Sequence, residues 1–237
     1  MKKFLLMFAV AVMTVSMASA TTIGDLVGTD EFTGLVVGDK VFYGFTCAVS
    51  LGGGASYDCD DVNNWAVTPI LGPNYGLNFT SNLSVSGDKS IDVNLEFFVK
   101  SLAGSTITGI GLAYNAGATG GAYAKISELA VDQGDLGNFG NAFVEKLGAF
   151  YDPSDPLAEV GDKLELDHTA QVLKVYKDIL VQGCYDGCAT NATNTATITQ
   201  FQQVFPQIGE SEVPEPGTYA MMGAGLLALA AIRRRKA

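Results

Sequence analysis

From Ile91 to Val99 the chain alternates. Ile91, Val93, Leu95, Phe97 and Val99 are apolar, and Asp92, Asn94 and Glu96 stand between them, with Phe98 the one exception. A side-chain period of two puts the two sets on opposite faces of an extended strand, which a helix cannot do. Other β-branched and aromatic runs, separated by Gly, Asn, Asp and Ser clusters, predict strands over Lys40 to Ala48, Trp65 to Leu71, Gly76 to Ser84, Ser90 to Lys100, Ile107 to Tyr114 and Gln171 to Val181. The expected fold is all-β, a single jelly-roll-like β-sandwich.

Local signals refine this pattern. Asp39 precedes Val41, Tyr43 and Phe45 on one face of a starting strand, and Pro69, which has no amide hydrogen, suits a strand end or edge. Gly87-Asp88 is a hairpin signal. Asn141 to Phe150 fits a short helix or a strand, and the polar Asn191 to Thr199 an edge strand or a loop. Gln207 to Val213 reads as a linker.

Both ends carry address signals. Met1-Lys2-Lys3, an apolar stretch from Phe4 to Val15 and the small residues Ala18-Ser19-Ala20 have the order of a secretory leader, with cleavage expected after Ala20 by signal peptidase. Near the other end, Pro214-Glu215-Pro216 precedes an apolar run over about residues 218–232 and the basic tail Arg233-Arg234-Arg235-Lys236. As a helix that run would rise about 22 Å against a hydrocarbon core of about 30 Å, a short span that snorkelling cations lengthen. The same cations hold that end cytoplasmic, which leaves the body outside the inner membrane. The expected organisation is a leader at 1–20, an ectodomain at 21–206, a linker at 207–213 and a sorting segment at 214–237.

Extended tripeptide, short span and basic stop resemble, in that order, the PEP-CTERM sorting signal of Gram-negative bacteria. The resemblance implies cleavage near Pro214, Glu215 and Pro216 by a membrane-embedded exosortase, transient anchoring in the inner membrane, and release to the cell surface or extracellular matrix. An ordinary tail anchor that is never cut fits the hydropathy equally well. Within the body, Gly38-Asp39-Lys40-Val41-Phe42-Tyr43-Gly44-Phe45, Val67-Thr68-Pro69, Gly76-Leu77-Asn78-Phe79, Lys177-Asp178-Ile179 and the run from Ile198 to Phe205 resemble the β-rich ectodomain of a common type of PEP-CTERM protein. That resemblance implies a single β-sandwich and an association with exopolysaccharide or biofilm.

Composition narrows the chemistry. Between Thr21 and Val213 stand 24 acidic residues and eight lysines, with no arginine and one histidine, His168. The negative field disfavours nucleic acid, and disfavours anionic polysaccharide unless divalent cations intervene. Missing arginines remove bidentate phosphate clamps, and a single histidine removes His-rich metal centres. No Gly-x-Ser-x-Gly elbow occurs, and no carboxylate pair is singled out for glycoside hydrolysis. No catalytic residue is assigned.

Four cysteines, Cys47, Cys59, Cys184 and Cys188, lie in the exported part. In an oxidising compartment they read as two disulfides, with proximity favouring Cys47 with Cys59 and Cys184 with Cys188. Asp58, Asp60 and Asp61 offer oxygen ligands to calcium but lack the glycine and terminal glutamate of an EF-hand loop; no other cofactor is expected. Trp65, with Tyr57, Tyr75 and Tyr114, could stack on sugars if exposed. These observations predict an exported, non-enzymatic surface protein, with a carbohydrate-binding module or a secreted glycan hydrolase as alternatives.

Overall fold

The computed structural model describes residues 21–102, 105–133, 141–146, 161–184 and 194–209, with backbone alone at 141–146, 161–165, 167–168 and 208–209. The elements in order are β1 Thr21–Thr22, α1 Ile23–Leu26, β2 Leu35–Val37, β3 Lys40–Gly52, α2 Cys59–Asn63, β4 Ala66–Ile70, β5 Gly76–Ser86 and β6 Ser90–Ser101. They continue with β7 Ser105–Ala118, β8 Tyr123–Asp132, β9 Asn141–Lys146, β10 Gly161–Ala170, β11 Val172–Gln182, β12 Thr195–Val204 and β13 Gln207–Gly209. All six expected strands are present, several of them longer than their sequence runs.

Two antiparallel sheets form a sandwich. One runs β1-β4-β5-β12-β7-β10 with β13 also on β7, and the other β2-β3-β6-β11-β8-β9. From β5 to β8 the chain changes sheet at every step, and it does so again from β9 to β12, which is the weave of a jelly roll.

That weave corrects the hairpin expectation at Gly87-Asp88. The chain does turn there, with Gly87 at φ 70°, but β5 and β6 belong to opposite sheets and do not pair. Gly87 N–H instead donates to Asn194 C=O at 3.0 Å, and Lys89 C=O accepts from Gly183 N–H at 2.9 Å. A tight turn joins a strand to its sequence neighbour without deciding whether the two lie side by side or face to face.

Three other segments are resolved. Asn141–Lys146 is a strand paired with β8, not a helix. The polar stretch expected at an edge enters β12, which lies between β5 and β7. There Ala196 and Ile198 are buried while Thr197 stays half-exposed, so the alternation is present in small residues. Gln207–Gly209, within the stretch read as a linker, continues the line of β12 along β7, with Gln207 opposite Ile107 and Gly209 opposite Ser105. Phe205 and Pro206 interrupt the ladder between the two, and Pro206 C=O still accepts from Thr108 N–H at 2.8 Å.

The alternating residues of β6 behave as their pattern dictates, with Ile91, Val93, Leu95, Phe97 and Val99 all buried against the facing sheet. The centre is aromatic. Phe79 stacks on Phe201 at 4.6 Å within one sheet, Phe45 on Phe97 at 4.9 Å within the other, and Phe79 reaches Phe97 at 6.2 Å across the gap. Such pairs add to the burial of their own large surfaces.

The Cys47–Cys59 disulfide, Cα atoms 5.8 Å apart, ties the first residue of α2 to β3. Cys184 is also disulfide-bonded, and Cys188 lies outside the described residues.

Candidate functional site

The sorting residues Ala18, Ala20, Pro214, Glu215, Pro216, Arg233, Arg234 and Arg235 lie outside the described residues. Among the described residues no helix is long and apolar enough to cross a membrane. The side chain of His168 is likewise outside the description.

Asp58 and Asp61 have a local job that their spacing did not disclose. Asp58 Oδ1 accepts from the backbone N–H of Asp60 at 2.9 Å and of Asp61 at 3.2 Å, and Asp61 Oδ2 accepts from Asp58 N–H at 3.0 Å. This is a capping box on α2. The calcium expectation for Asp58, Asp60 and Asp61 finds no support here, because the first and last point at helix amides rather than at a shared cation. Among the described residues no group of three or more His, Cys, Asp or Glu side chains is placed to hold a metal.

Trp65 is not a stacking platform. Only 2% of it is exposed; it meets Phe201 edge-on at 5.9 Å, and its Nε1 donates to Tyr57 Oη at 2.7 Å. Tyr57 Oη in turn donates to Asn82 Oδ1 at 2.8 Å. Burial, partly offset by the Trp65 hydrogen bond and reinforced by Asp61 and Asp58, pushes the Tyr57 phenol up to about 12. Tyr114 is buried, and Tyr75 packs its ring against Gly38. The aromatic residues that could have stacked on sugar if exposed therefore serve the core and its rim, as the place of Trp65 at the head of an apolar run favours.

What the structure offers instead are two sheet faces of different character. On the outer face of the six-stranded sheet, Tyr43 stacks on Phe98 at 5.2 Å. Lys174 Nζ lies 4.5 Å from the Tyr176 ring centre and 2.8 Å from Glu96 Oε2. The pairing with Glu96 holds the Lys174 ammonium above its usual range.

Asp92 and Asp178 are neighbours on that face, and desolvation first, then the influence of Asp178, raises Asp92 to about 6. Because the folded value lies above the unfolded one, Asp92 favours the fold fully below about pH 4 and loses that contribution as pH rises through about 6. Asp92→Asn should be more stable than wild type by about 1 kcal/mol at pH 7.5, after allowance for solvent screening, and equal to it near pH 4. Urea unfolding of both proteins at the two pH values checks this; a gap that does not change with pH would refute it.

On the outer face of the seven-stranded sheet, the described side chains of β5 and β12 include a run of amides. Gln200 Nε2 donates to Asn78 Oδ1 at 2.5 Å, and Asn78 Nδ2 donates to Thr68 Oγ1 at 3.1 Å. Beside them a shallow cleft of about 210 Å³ is lined by Ala113, Tyr114, Asn115, Gln200, Phe201 and Gln202.

Between the sheets lie polar groups that the sequence reading did not single out. Lys177 of β11, Glu128 of β8 and Gln203 of β12 are all buried, and Lys177 Nζ contacts Glu128 Oε2 and Gln203 Oε1. Desolvation pushes the Lys177 ammonium down and the Glu128 carboxyl up, each against the pull of the other. A second lysine, Lys40, is also fully buried, and its Nζ contacts Asp39 Oδ1 at 3.0 Å and Gln207 Oε1. Both positions fall in an alternating strand on its apolar face, which was the available signal: Lys177 sits between Val175 and Ile179, and Lys40 shares a face with Phe42.

The architecture is thus a β-sandwich carried ahead of a C-terminal address. A family model described as the PEP-CTERM protein-sorting motif matches residues 212–236, so the chain carries a PEP-CTERM sorting motif. The motif marks it for export, a C-terminal membrane-anchored step, and handling by an exosortase-type enzyme before it reaches the surface. No curated protein sequence matches the chain. Among solved structures, TmCBM61 in complex with beta-1,4-galactotriose is 18% identical over 69% of this chain and 88% of its own, with a TM-score of 0.28. A structure from work on the promiscuous specificity of carbohydrate-binding modules of the beta-sandwich superfamily is 11% identical, with a TM-score of 0.26, over 71% of this chain and 56% of its own.

Proposed function

We propose that this is a non-enzymatic surface or extracellular-matrix protein of a Gram-negative bacterium, released from its anchor near Pro214 to Pro216 and associated with exopolysaccharide. The observation that carries the reading is the sorting motif at residues 212–236. Deleting Pro214 to Ala237 should abolish surface delivery and leave the body in the periplasm. Fractionation with immunoblotting reads this, and unchanged delivery would refute the proposal.

A narrower reading makes the body a carbohydrate-binding module. It is favoured by the cleft at Asn115, Gln200 and Gln202, whose described lining bears amides and no charged residue, which suits a neutral glycan better than an acidic one. A glycan array probed with the full chain should give hits that Gln200→Ala weakens; a blank array would set this reading aside.

A further inference from the structure

A primary amine, a carboxylate and a carboxamide meet in the apolar interior at Lys177, Glu128 and Gln203, from three strands and both sheets. The Lys177 and Glu128 side chains have no exposure, and Gln203 has none either. Lys177 Nζ also stands 5.7 Å from the centre of the Phe201 ring. Gln203 Nε2 and Glu128 Oε1 make no well-formed hydrogen bond, although the Gln203 amide lies close enough to the Glu128 carboxyl to favour its charged form. Buried polar groups are normally satisfied, so two poorly bonded atoms beside a desolvated ion pair call for an account.

We propose that these residues form a self-crosslinking site, in which an isopeptide bond joins Lys177 to Gln203 and covalently ties the two sheets together. Water is excluded, so the pair can relax by moving a proton from the ammonium to Glu128, which leaves a neutral amine and a neutral carboxyl. That amine is a nucleophile held in contact with Gln203 Oε1, one bond from the carbonyl carbon Cδ. The Nζ–Cδ bond forms as Glu128 gives its proton to the departing nitrogen and takes one from Nζ. The Cδ–Nε2 bond breaks and Nε2 leaves as ammonia. No oxidant, metal or second substrate enters the balance.

The product also resolves what the unreacted site leaves open. The poorly bonded Nε2 is gone, the buried charges are gone, and the new amide N–H has Glu128 as its acceptor. The Lys40 cluster has the same three functional groups, but its carboxylate, Asp39, is 26% exposed to solvent. It therefore lacks the closed, dry setting on which the reaction depends.

The experiment is a tryptic peptide map of the full chain made in a purified translation system, which contains no crosslinking enzyme of the host. The expected result is loss of cleavage after Lys177 and a branched peptide linking Lys177 to Gln203, lighter than its parts by one ammonia. Glu128→Gln, close to isosteric, should give separate peptides with cleavage after Lys177 restored. Cleavage after Lys177 with Gln203 intact in the wild-type chain would overturn the proposal whether or not the variant folds. A link that persists in Glu128→Gln would overturn the role given to Glu128.

Discussion

Phe79→Ala should cost about 4 kcal/mol of folding free energy, the range measured when a buried phenylalanine is cut to alanine in a core that cannot collapse around the gap. The geometry favours the upper part of that range. Phe79 is fully buried on β5, stacked on Phe201 at 4.6 Å, and in contact with Phe97 at 6.2 Å and Phe45 at 6.4 Å on the facing sheet. Removing the ring therefore opens space between two sheets whose spacing is fixed by many other contacts. The companion substitution Phe98→Ala, on the outer face, loses its stack on Tyr43 while leaving the interior filled, and should cost about 1 kcal/mol. Urea denaturation of both variants gives the comparison. Equal losses would mean that the aromatic column does not hold the sheets together.

Gly76→Ala should be nearly as damaging, for a reason unrelated to hydrophobicity. A Cβ at Gly76 would lie 1.9 Å from Gln203 C=O oxygen and 2.8 Å from Val204 Cα, all of it backbone. Nothing there can rotate away, so β5 and β12 must part at a pairing in the middle of the seven-stranded sheet, at a cost of about 3 kcal/mol. Gly54→Ala is the control. Gly54 has φ 69° and nothing within 4 Å of its Cβ, so the change should cost about 1 kcal/mol in backbone strain alone. Thermal melts that rank the two variants the other way would contradict the close approach.

What the sequence revealed, and what it withheld, follows from how far each signal reaches. The alternation from Ile91 to Val99 fixes which side chains turn inward, because face is a property of a single strand. The Cys47–Cys59 pair was equally legible, since short separation and an exporting leader both favour it. Which strand lies beside which is non-local, so Gly87-Asp88 could announce a turn without revealing that it joins opposite sheets. Thr195 to Ile198 gave too little apolar bulk to mark a central strand; the neighbours β5 and β7 supply the burial.

The weaker calcium and sugar-stacking alternatives are decided by a related reason. Trp65, Asp58 and Asp61 were judged by side-chain chemistry, whereas their neighbours Phe201, Tyr57 and the amides of α2 decide what they do. Lys177 and Lys40 were visible as cations on apolar faces, but their partners Gln203 and Gln207 lie 26 and 167 residues away. No spacing rule would have joined them.

The short final strand also sets a geometry for the anchored stage. From Gly209, paired with Ser105 at the start of β7, to Pro214 the chain can reach no more than about 18 Å when fully extended. Were the chain held by its tail, the tether would leave the sandwich from the end at which β7 begins, the end that also carries Lys40. The turns at Gly52 to Gly54, Gly87 to Lys89 and Thr119 to Ala122 crown the far end, where Gly87 bonds Asn194 and Thr119 bonds Thr195. A protease cutting near the tripeptide would then work within about 18 Å of the last residue of β13, and a folded β13 would limit the room open to it.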